Sequence, residues 1–421
     1  MAKGRASAPF CRMAPELRVT EAMLDWNRYY AGRASRISAS EIRELLKLLD
    51  QPGIVSFAGG IPDPGLFPQA EIAAAFRRIL DDPRTAAAAL QYSVSEGHLP
   101  LRRWLVQHMA GLGVACGPEH ILITNGSQQG LDFLAKLFVA PGERVLVARP
   151  TYLGALQAFN AYEADYATFP GLGDDGAPPA RDGAKLAYLM PDFANPSGRT
   201  LGLGERQAAL ATATALDVPV IEDAAYEQLH YDAEPLPSLL ALDSERDGID
   251  GARVIYCGTF SKTVVPGLRI GWIVAPRPVI EKLVLIKQAS DLHTSALNQM
   301  AMLEVASAIV PRHTDAIRAA YRTRRDAMLA ALETHMPPGV TWSRPGGGMF
   351  LWLQLPAGWD GAELLAQSIA EARVAFVPGA AFYADRSSRN AIRLSFSLNP
   401  PAEIEDGIAR LGRLLRGKAA S

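Results

Sequence analysis

The sequence predicts an α/β architecture: a large, mostly parallel sheet sandwiched by helices, followed by a smaller α/β domain. Three observations carry this. Short apolar runs alternate with helical patterns at Ile121 to Thr124, Val145 to Ala148, Leu186 to Met190, Val218 to Ile221, Val254 to Cys257 and Ile270 to Ala275. They are continuous and rich in Val and Ile, as strands covered on both faces are. Polar residues then follow directly on these runs: Asn125-Gly126-Ser127, Asp192 to Asn195, Asp223 and Ser261-Lys262. Ligands of parallel sheets bind outside the carboxyl ends of the strands, so these residues are candidates for one site. Beyond Gln299, a helical stretch to about Glu333 leads through Gly-rich turns and short strands to an amphipathic helix from Pro401 to about Leu415. That order suits a smaller domain packed on the first.

Size and charge limit what such a fold does. The chain has 421 residues, 49% hydrophobic and 20% charged, enough for one large core and a second smaller one. Lys and Arg number 42 against 44 Asp and Glu, a formal charge of -2 with no basic block, so no footprint for nucleic acid or an anionic membrane is visible. No apolar stretch reaches the roughly 18 residues of a membrane span. The opening MAKGRASAPFCRMAPELR lacks the apolar core of a signal peptide. Cys11, Cys116 and Cys257 lie far apart in no metal-ligand or redox spacing, which suits a reducing cytoplasm without disulfides or a metal site. Small molecules are the expected partners.

Taken in order, residues 1–37 read as a flexible arm rich in Arg and Ala. Residues 38–70 hold a helix and a pocket-lining loop. Ser38 and Glu41 form a capping box, Ile42, Leu45, Leu46 and Leu49 recur at helical spacing, and Gln51-Pro52-Gly53 stops the helix. Ser40, Arg43 and Lys47 fall on another face. The segment from Ile54 to Pro68 is a short apolar strand and then Gly and Pro punctuation, where backbone approaches closely. Residues 71–300 form the large domain and 301–421 the small one.

Four motifs meet at the sheet edge. In GTFSKTVVPGLRIGW, Gly258 to Trp272, Lys262 sits between two apolar runs, and desolvation favours its free amine. It reads as a Schiff-base lysine or as a lysine in a structural ion pair. Ser261 and Arg269 suit the oxygens of a phosphate. In TNGSQQGLDFLAKLF, Thr124 to Phe138, the helix start with Ser127 is an anion cradle or a plain cap. In VIEDAAYEQLHYD, Val220 to Asp232, Asp223 needs a partner at the end of a buried strand: a protonated ring nitrogen, or the N-terminus of a helix it caps. Tyr226 can hydrogen-bond a phenolate oxygen or fill core. In PDFANPSG, Asn195 can donate to a ligand oxygen or mark a turn. An amine, a carboxylate, a phosphate cradle and phenol-binding donors are together what pyridoxal 5′-phosphate requires.

These motifs, with SFAGGIPDPGLFP, LQYSVSEGHLPLR, RPTYLGAL, RPGGGMFLWL and AIRLSFS in the same chain order, resemble fold-type I, class I/II aminotransferases, most closely the 2-aminoadipate and kynurenine branch. The likeness runs from about Ser38 to the C-terminus. It implies an aspartate aminotransferase-like seven-stranded sheet, pyridoxal 5′-phosphate and a homodimer. It implies that Lys262 holds the cofactor, Asp223 its pyridinium, Asn195 and Tyr226 its phenolic oxygen, and that Tyr152 stacks on the ring. Ser127, Gln128, Ser261 and Arg269 would take the phosphate, and Tyr92 would arrive from a partner subunit. Arg393 would grip the substrate carboxylate beside Gly59, while Ser40 and Arg43 would meet the distal end of the substrate. In AIRLSFSL, strand alternation puts Arg393, Ser395 and Ser397 on one polar face, toward a ligand or toward solvent. The implied reaction is ping-pong transfer of an amino group from an L-amino acid (2-aminoadipate, aromatic or aliphatic) to a 2-oxo acid such as 2-oxoglutarate. A β-lyase, decarboxylase or racemase on the same cofactor is the alternative. So is a non-catalytic regulatory domain, against which stands the lack of any helix-turn-helix pattern.

Overall fold

The computed structural model describes residues 24–37, 53–172 and 183–420. Among these residues thirteen strands are numbered in chain order. After β1 (Val55–Ser56) come β2 (Ile121–Thr124), β3 (Arg144–Val147), β4 (Asp165–Thr168), β5 (Ala184–Leu189), β6 (Val220–Asp223), β7 (Val254–Thr259) and β8 (Gly271–Val274). The last seven form one sheet in the order β2-β8-β7-β6-β5-β3-β4. Pairing is parallel from β4 to β7, while β8 runs antiparallel to both β7 and β2. Every residue of β2, β6, β7 and β8 is buried, which is why their sequences carry no apolar–polar alternation.

The remaining strands are β9 (Thr341–Trp342), β10 (Phe350–Gln354), β11 (Val374–Ala375), β12 (Val377–Pro378) and β13 (Ala391–Ser395). An antiparallel sheet has the order β12-β13-β10-β9, and β1 pairs in parallel with β11. The helix Ala296–His335 joins the two regions: at about 1.5 Å per residue its 40 residues reach about 60 Å. Its Val305, Ala306 and Ile309 pack into one core cluster with β2 and β8, and its Ile317, Tyr321, Met328 and Leu332 into another with β10 and β13. No helix among the described residues is long and apolar enough to cross a membrane.

The sequence reading and the structure differ in places. Strand β4 was not anticipated, because its residues Asp165 to Ala167 are exposed or half-buried at the sheet edge and carry no apolar run. Strand β6 ends two residues later than its apolar run, since Glu222 and Asp223 are themselves buried in the sheet. The alternation of β13 predicts one polar face, yet all five of its residues are buried. Its polar face is covered by the segment after β1, where Ser395 N donates to Phe57 O and Ser397 Oγ to Ile61 O. Within residues 24–37, short 3-10 turns occupy Trp26–Arg28 and Gly32–Arg36, and Arg36 donates to the Ala164 carbonyl. The capping box at Ser38 and its helix lie outside the described residues.

Candidate active site

The strand that ends at Thr259 delivers Lys262 to the carboxyl edge of the central sheet. A tight turn holds it there: Ser261 N donates to Thr259 Oγ1 at 3.1 Å, and the Thr259 hydroxyl donates to Ser261 Oγ at 2.9 Å. Lys262 lines a cavity of about 150 Å³ together with Ser127, Gln128, Tyr152, Asp223, Tyr226, Ser261 and Arg269. Its Nζ lies 3.4 Å from the Gly60 carbonyl and 5.8 Å from the centre of the Tyr226 ring. Burial, and then the cations of Arg269 and Arg393, lower its pKa to about 8, against the pull of Asp223. Roughly a tenth of such amines are neutral near pH 7, hundreds of times more than for an ordinary lysine.

Asp223 ends β6 one strand away. Tyr188, on β5, donates to its Oδ2 at 2.7 Å, and the Ala225 N–H donates to its Oδ1 at 3.3 Å. Burial raises its pKa to about 6 despite these donors and the charge of Lys262. No helix follows Asp223, only a turn through Tyr226, so its carboxylate is not a helix cap. Tyr226 is buried edge-on to Phe350, and burial pushes its hydroxyl far above the usual range. Asn195 hydrogen-bonds that hydroxyl and accepts from Arg393 Nη1 at 2.8 Å.

The cradle lies where β2 gives way to the helix Ser127–Phe138. Gly126 caps that helix with a φ of 76°, and a side chain there would run into the Arg269 guanidinium. A Cβ on Gly271 would stand 2.6 Å from the Ser127 nitrogen, so two backbones meet at contact distance. Arg269 enters β8 from a left-handed conformation with φ 55°. It donates through Nη1 to Pro266 O at 3.1 Å and through Nη2 to Asn125 O at 3.4 Å. Helix-start N–H groups, two serines and a guanidinium therefore surround one point. Gln128 adjoins them, with its amide donating to the Gly154 carbonyl at 2.8 Å. Tyr152 precedes the helix Leu153–Asn160 and packs so tightly on Gly154 that a side chain there would strike its ring.

Arg393, on β13, stands beside this cavity without lining it, linked to Tyr226 through Asn195. It is 1% exposed, and burial lowers its pKa to about 10. Nη2 donates to Ala58 O at 2.7 Å, and the guanidinium lies 4.2 Å from the Phe350 ring centre and 5.0 Å from that of Phe382. Its Nε is buried without a hydrogen-bond partner. A guanidinium carries five N–H donors, so a planar anion has donors left to meet. Gly59 is buried between Ala58 and Gly60, whose carbonyls face Arg393 and Lys262.

Two expected site regions are not gathered here. Tyr92 is 79% exposed, makes an edge contact with His293 at 6.1 Å and does not line the cavity of its own chain. Ser40 and Arg43 lie outside the described residues. Conversely, the sequence reading missed Tyr188, Thr259, Met190 and the Gly60 carbonyl. The signal for Tyr188 was its hydroxyl within the apolar run Leu186 to Met190.

The donor set fits pyridoxal 5′-phosphate: an amine with a lowered pKa, a buried carboxylate facing it, phenol-binding donors and an anion cradle in one cavity. A family model described as aminotransferase class I and II matches residues 63–411. The chain is 42% identical over 404 residues to a 2-aminoadipate transaminase of Thermus thermophilus, covering 94% of this chain and 99% of that protein. It is 40% identical over 407 residues to an aromatic-amino-acid aminotransferase of Thermococcus litoralis, at coverages of 93% and 95%. Among solved structures it matches the α-aminoadipate aminotransferase of Thermus thermophilus complexed with N-(5′-phosphopyridoxyl)-L-leucine. The TM-score is 0.85 at 40% identity, over 94% of this chain and 100% of that one. The architecture is thus the aspartate aminotransferase-like fold type I, and the chain belongs to the class I and II aminotransferases, enzymes of amino-group transfer.

Proposed function

We propose that Lys262 holds pyridoxal 5′-phosphate and that the enzyme takes an amino group from an L-amino acid with an acidic, aromatic or aliphatic side chain. The acceptor is a 2-oxo acid, with 2-oxoglutarate the first to test, and the two half-reactions alternate in a ping-pong cycle. The observation that carries this is the convergence of Lys262, Asp223 and the Ser127–Arg269 cradle on one cavity. When bound, the cofactor supplies an aldehyde carbon for the amino group and a ring that draws electrons from the substrate α-carbon.

The residues divide that work. Asp223, held by Tyr188, keeps a proton on the ring nitrogen. Tyr226 and Asn195 donate to the phenolic oxygen, Tyr152 covers a ring face, and Ser127, Gln128, Ser261 and Arg269 hold the phosphate. Arg393 grips the substrate carboxylate over Gly59. The Lys262 amine would carry the proton from the substrate α-carbon to the cofactor carbon that receives the amino group, for which a pKa near 8 is well placed. Ser40 and Arg43 meet the distal end of the side chain. A second copy of the chain completes the site with its Tyr92, whose exposed neighbours Leu90 and Val94 suit burial in a dimer. The scattered cysteines and neutral charge balance favour the cytoplasm as its location.

A panel of amino acids mixed with the holoenzyme tests the reading. Amino donors should change the cofactor absorbance in a single turnover and yield the matching 2-oxo acid, and an added 2-oxo acid should restore the spectrum. Release of carbon dioxide or ammonia in place of that exchange would make the enzyme a decarboxylase or a lyase.

A further inference from the structure

Behind the anion cradle lies a buried polar network that the proposed chemistry does not use. Lys287, on the helix Arg277–Ser290, is 0% exposed. Its ammonium donates to Gln129 Oε1 at 3.0 Å and to both oxygens of Asp291 at 2.9 Å. Asp291 Oδ2 also accepts from Asn125 Nδ2 at 2.5 Å and from Gln129 Nε2 at 2.8 Å. Gln129 Oε1 accepts in addition from the backbone N–H of Asn125 at 2.8 Å. The network therefore ends on the two residues that flank the Gly126–Gln128 turn. The Asn125 carbonyl, in its turn, accepts from Arg269 Nη2.

Stability alone is a poor reason for this arrangement. Desolvating an ammonium and a carboxylate costs about as much as their attraction returns, and packed apolar side chains would do as well. What an ion pair with several further hydrogen bonds does well is select one arrangement of its partners. Here those partners are the backbone nitrogen, the side chain and, through Arg269, the carbonyl of Asn125. Lys287 is closed in from another side by the Phe133 ring at 5.8 Å, so the group has little freedom.

We propose that the Lys287–Asp291 pair, with Gln129, is a positioning device for the cradle. By clamping Asn125 it aims the N–H groups of the Gly126–Gln128 turn and the Arg269 guanidinium at one point, and so sets affinity for the cofactor's phosphate rather than for its ring. This rests on the reading that the cavity takes pyridoxal 5′-phosphate. None of these three side chains lines the cavity, so each acts through Asn125.

The test compares dissociation constants of pyridoxal 5′-phosphate and of pyridoxal, which lacks the phosphate, for the full-length wild type and for Lys287→Met, Asp291→Asn and Gln129→Leu. Gln129→Leu keeps the ion pair, so it carries the test if the other two fail to fold. Losing the aim of one or two charge-assisted hydrogen bonds should weaken pyridoxal 5′-phosphate about tenfold and pyridoxal less than about twofold. Inorganic phosphate should also compete less well in the variants. A preference for the phosphorylated form that stays at the wild-type value in Gln129→Leu would overturn the inference alone. A wild type that binds the two compounds equally would overturn the reading of the cavity, and this inference with it.

Discussion

Glu222 and Asp223 are neighbours in sequence, both buried, and point to opposite faces of β6. Behind the sheet, Glu222 accepts from the N–H groups of Leu239 and Leu240 at 2.7 and 2.9 Å, at the start of the helix Leu239–Asp247. In front, Asp223 accepts from Tyr188 and, at longer range, from Ala225, and it faces a lysine across the cavity. Burial raises both pKa values, to about 7 for Glu222 and about 6 for Asp223. The two are perturbed alike, although only Asp223 has a view of the cavity. Perturbation therefore does not distinguish a carboxylate that fastens a helix from one that serves a ligand. Spare acceptor capacity facing an open cavity does.

The front face should give the largest effects. Lys262→Ala should lower the rate of 2-oxo acid formation by at least about 10⁴-fold without lowering Tm, since in the proposed function it removes both the covalent anchor and the proton carrier. Retained turnover would place the chemistry elsewhere. Asp223→Asn keeps the shape and removes the anion, so turnover should fall by about 10² to 10³-fold. Its Tm should hold or rise, because a buried carboxylate with a raised pKa gives way to a neutral amide. Arg393→Lys loses the planar fork and should raise the KM for the amino donor by about a hundredfold, with kcat less affected. An unchanged KM would remove Arg393 from carboxylate binding.

The back face should respond in stability instead. Glu222→Ala leaves two helix-start N–H groups without an acceptor, and unfolding in urea should show a loss of about 2–4 kcal/mol, while the folded fraction keeps its turnover. The sign of its pH dependence follows from the raised pKa. The contribution of Glu222 is full below its ordinary value of 4.5 and is lost as pH rises through about 7. The stability gap between wild type and variant should therefore narrow between those limits. The mildest probe is pH itself: capture of an aldehyde by cofactor-free protein should speed up about tenfold per pH unit until about pH 8 and then level off.

Legibility followed the same division. Apolar runs locate the inner strands because burial on both faces leaves no room for alternation, whereas edge strand β4, with Asp165 exposed, gives no such pattern. Lys262, Asp223 and Asn195 stand out because polar residues at strand ends break an apolar run. Tyr188 was hidden because a tyrosine suits a buried strand whether or not its hydroxyl has a task. The carbonyl of Gly60 could not be read at all, since every residue has one and only the path of the chain aims it. Arg393 showed in the alternation of β13, but its burial depends on the segment Phe57 to Ile61, more than 300 positions away, folding over it.

One reversal in the sheet has a consequence for how this site can be altered. Because β8 runs against its neighbours, the chain returns from β7 through a short loop rather than a crossover helix. Arg269, which precedes a strand, thus shares an edge with residues that follow strands, and it shares one loop with Lys262. A shift of the antiparallel sheet relative to the central one would change the separation of Arg393 from Lys262 but leave that of Lys262 from Arg269 untouched. Arg393 and the Lys262–Arg269 loop thus stand on different sheets, bridged by the Ala58–Gly60 segment that accepts from both Arg393 and Lys262. Substitutions beside Arg393 can therefore alter its reach while the single loop that carries Lys262 and Arg269 keeps their spacing.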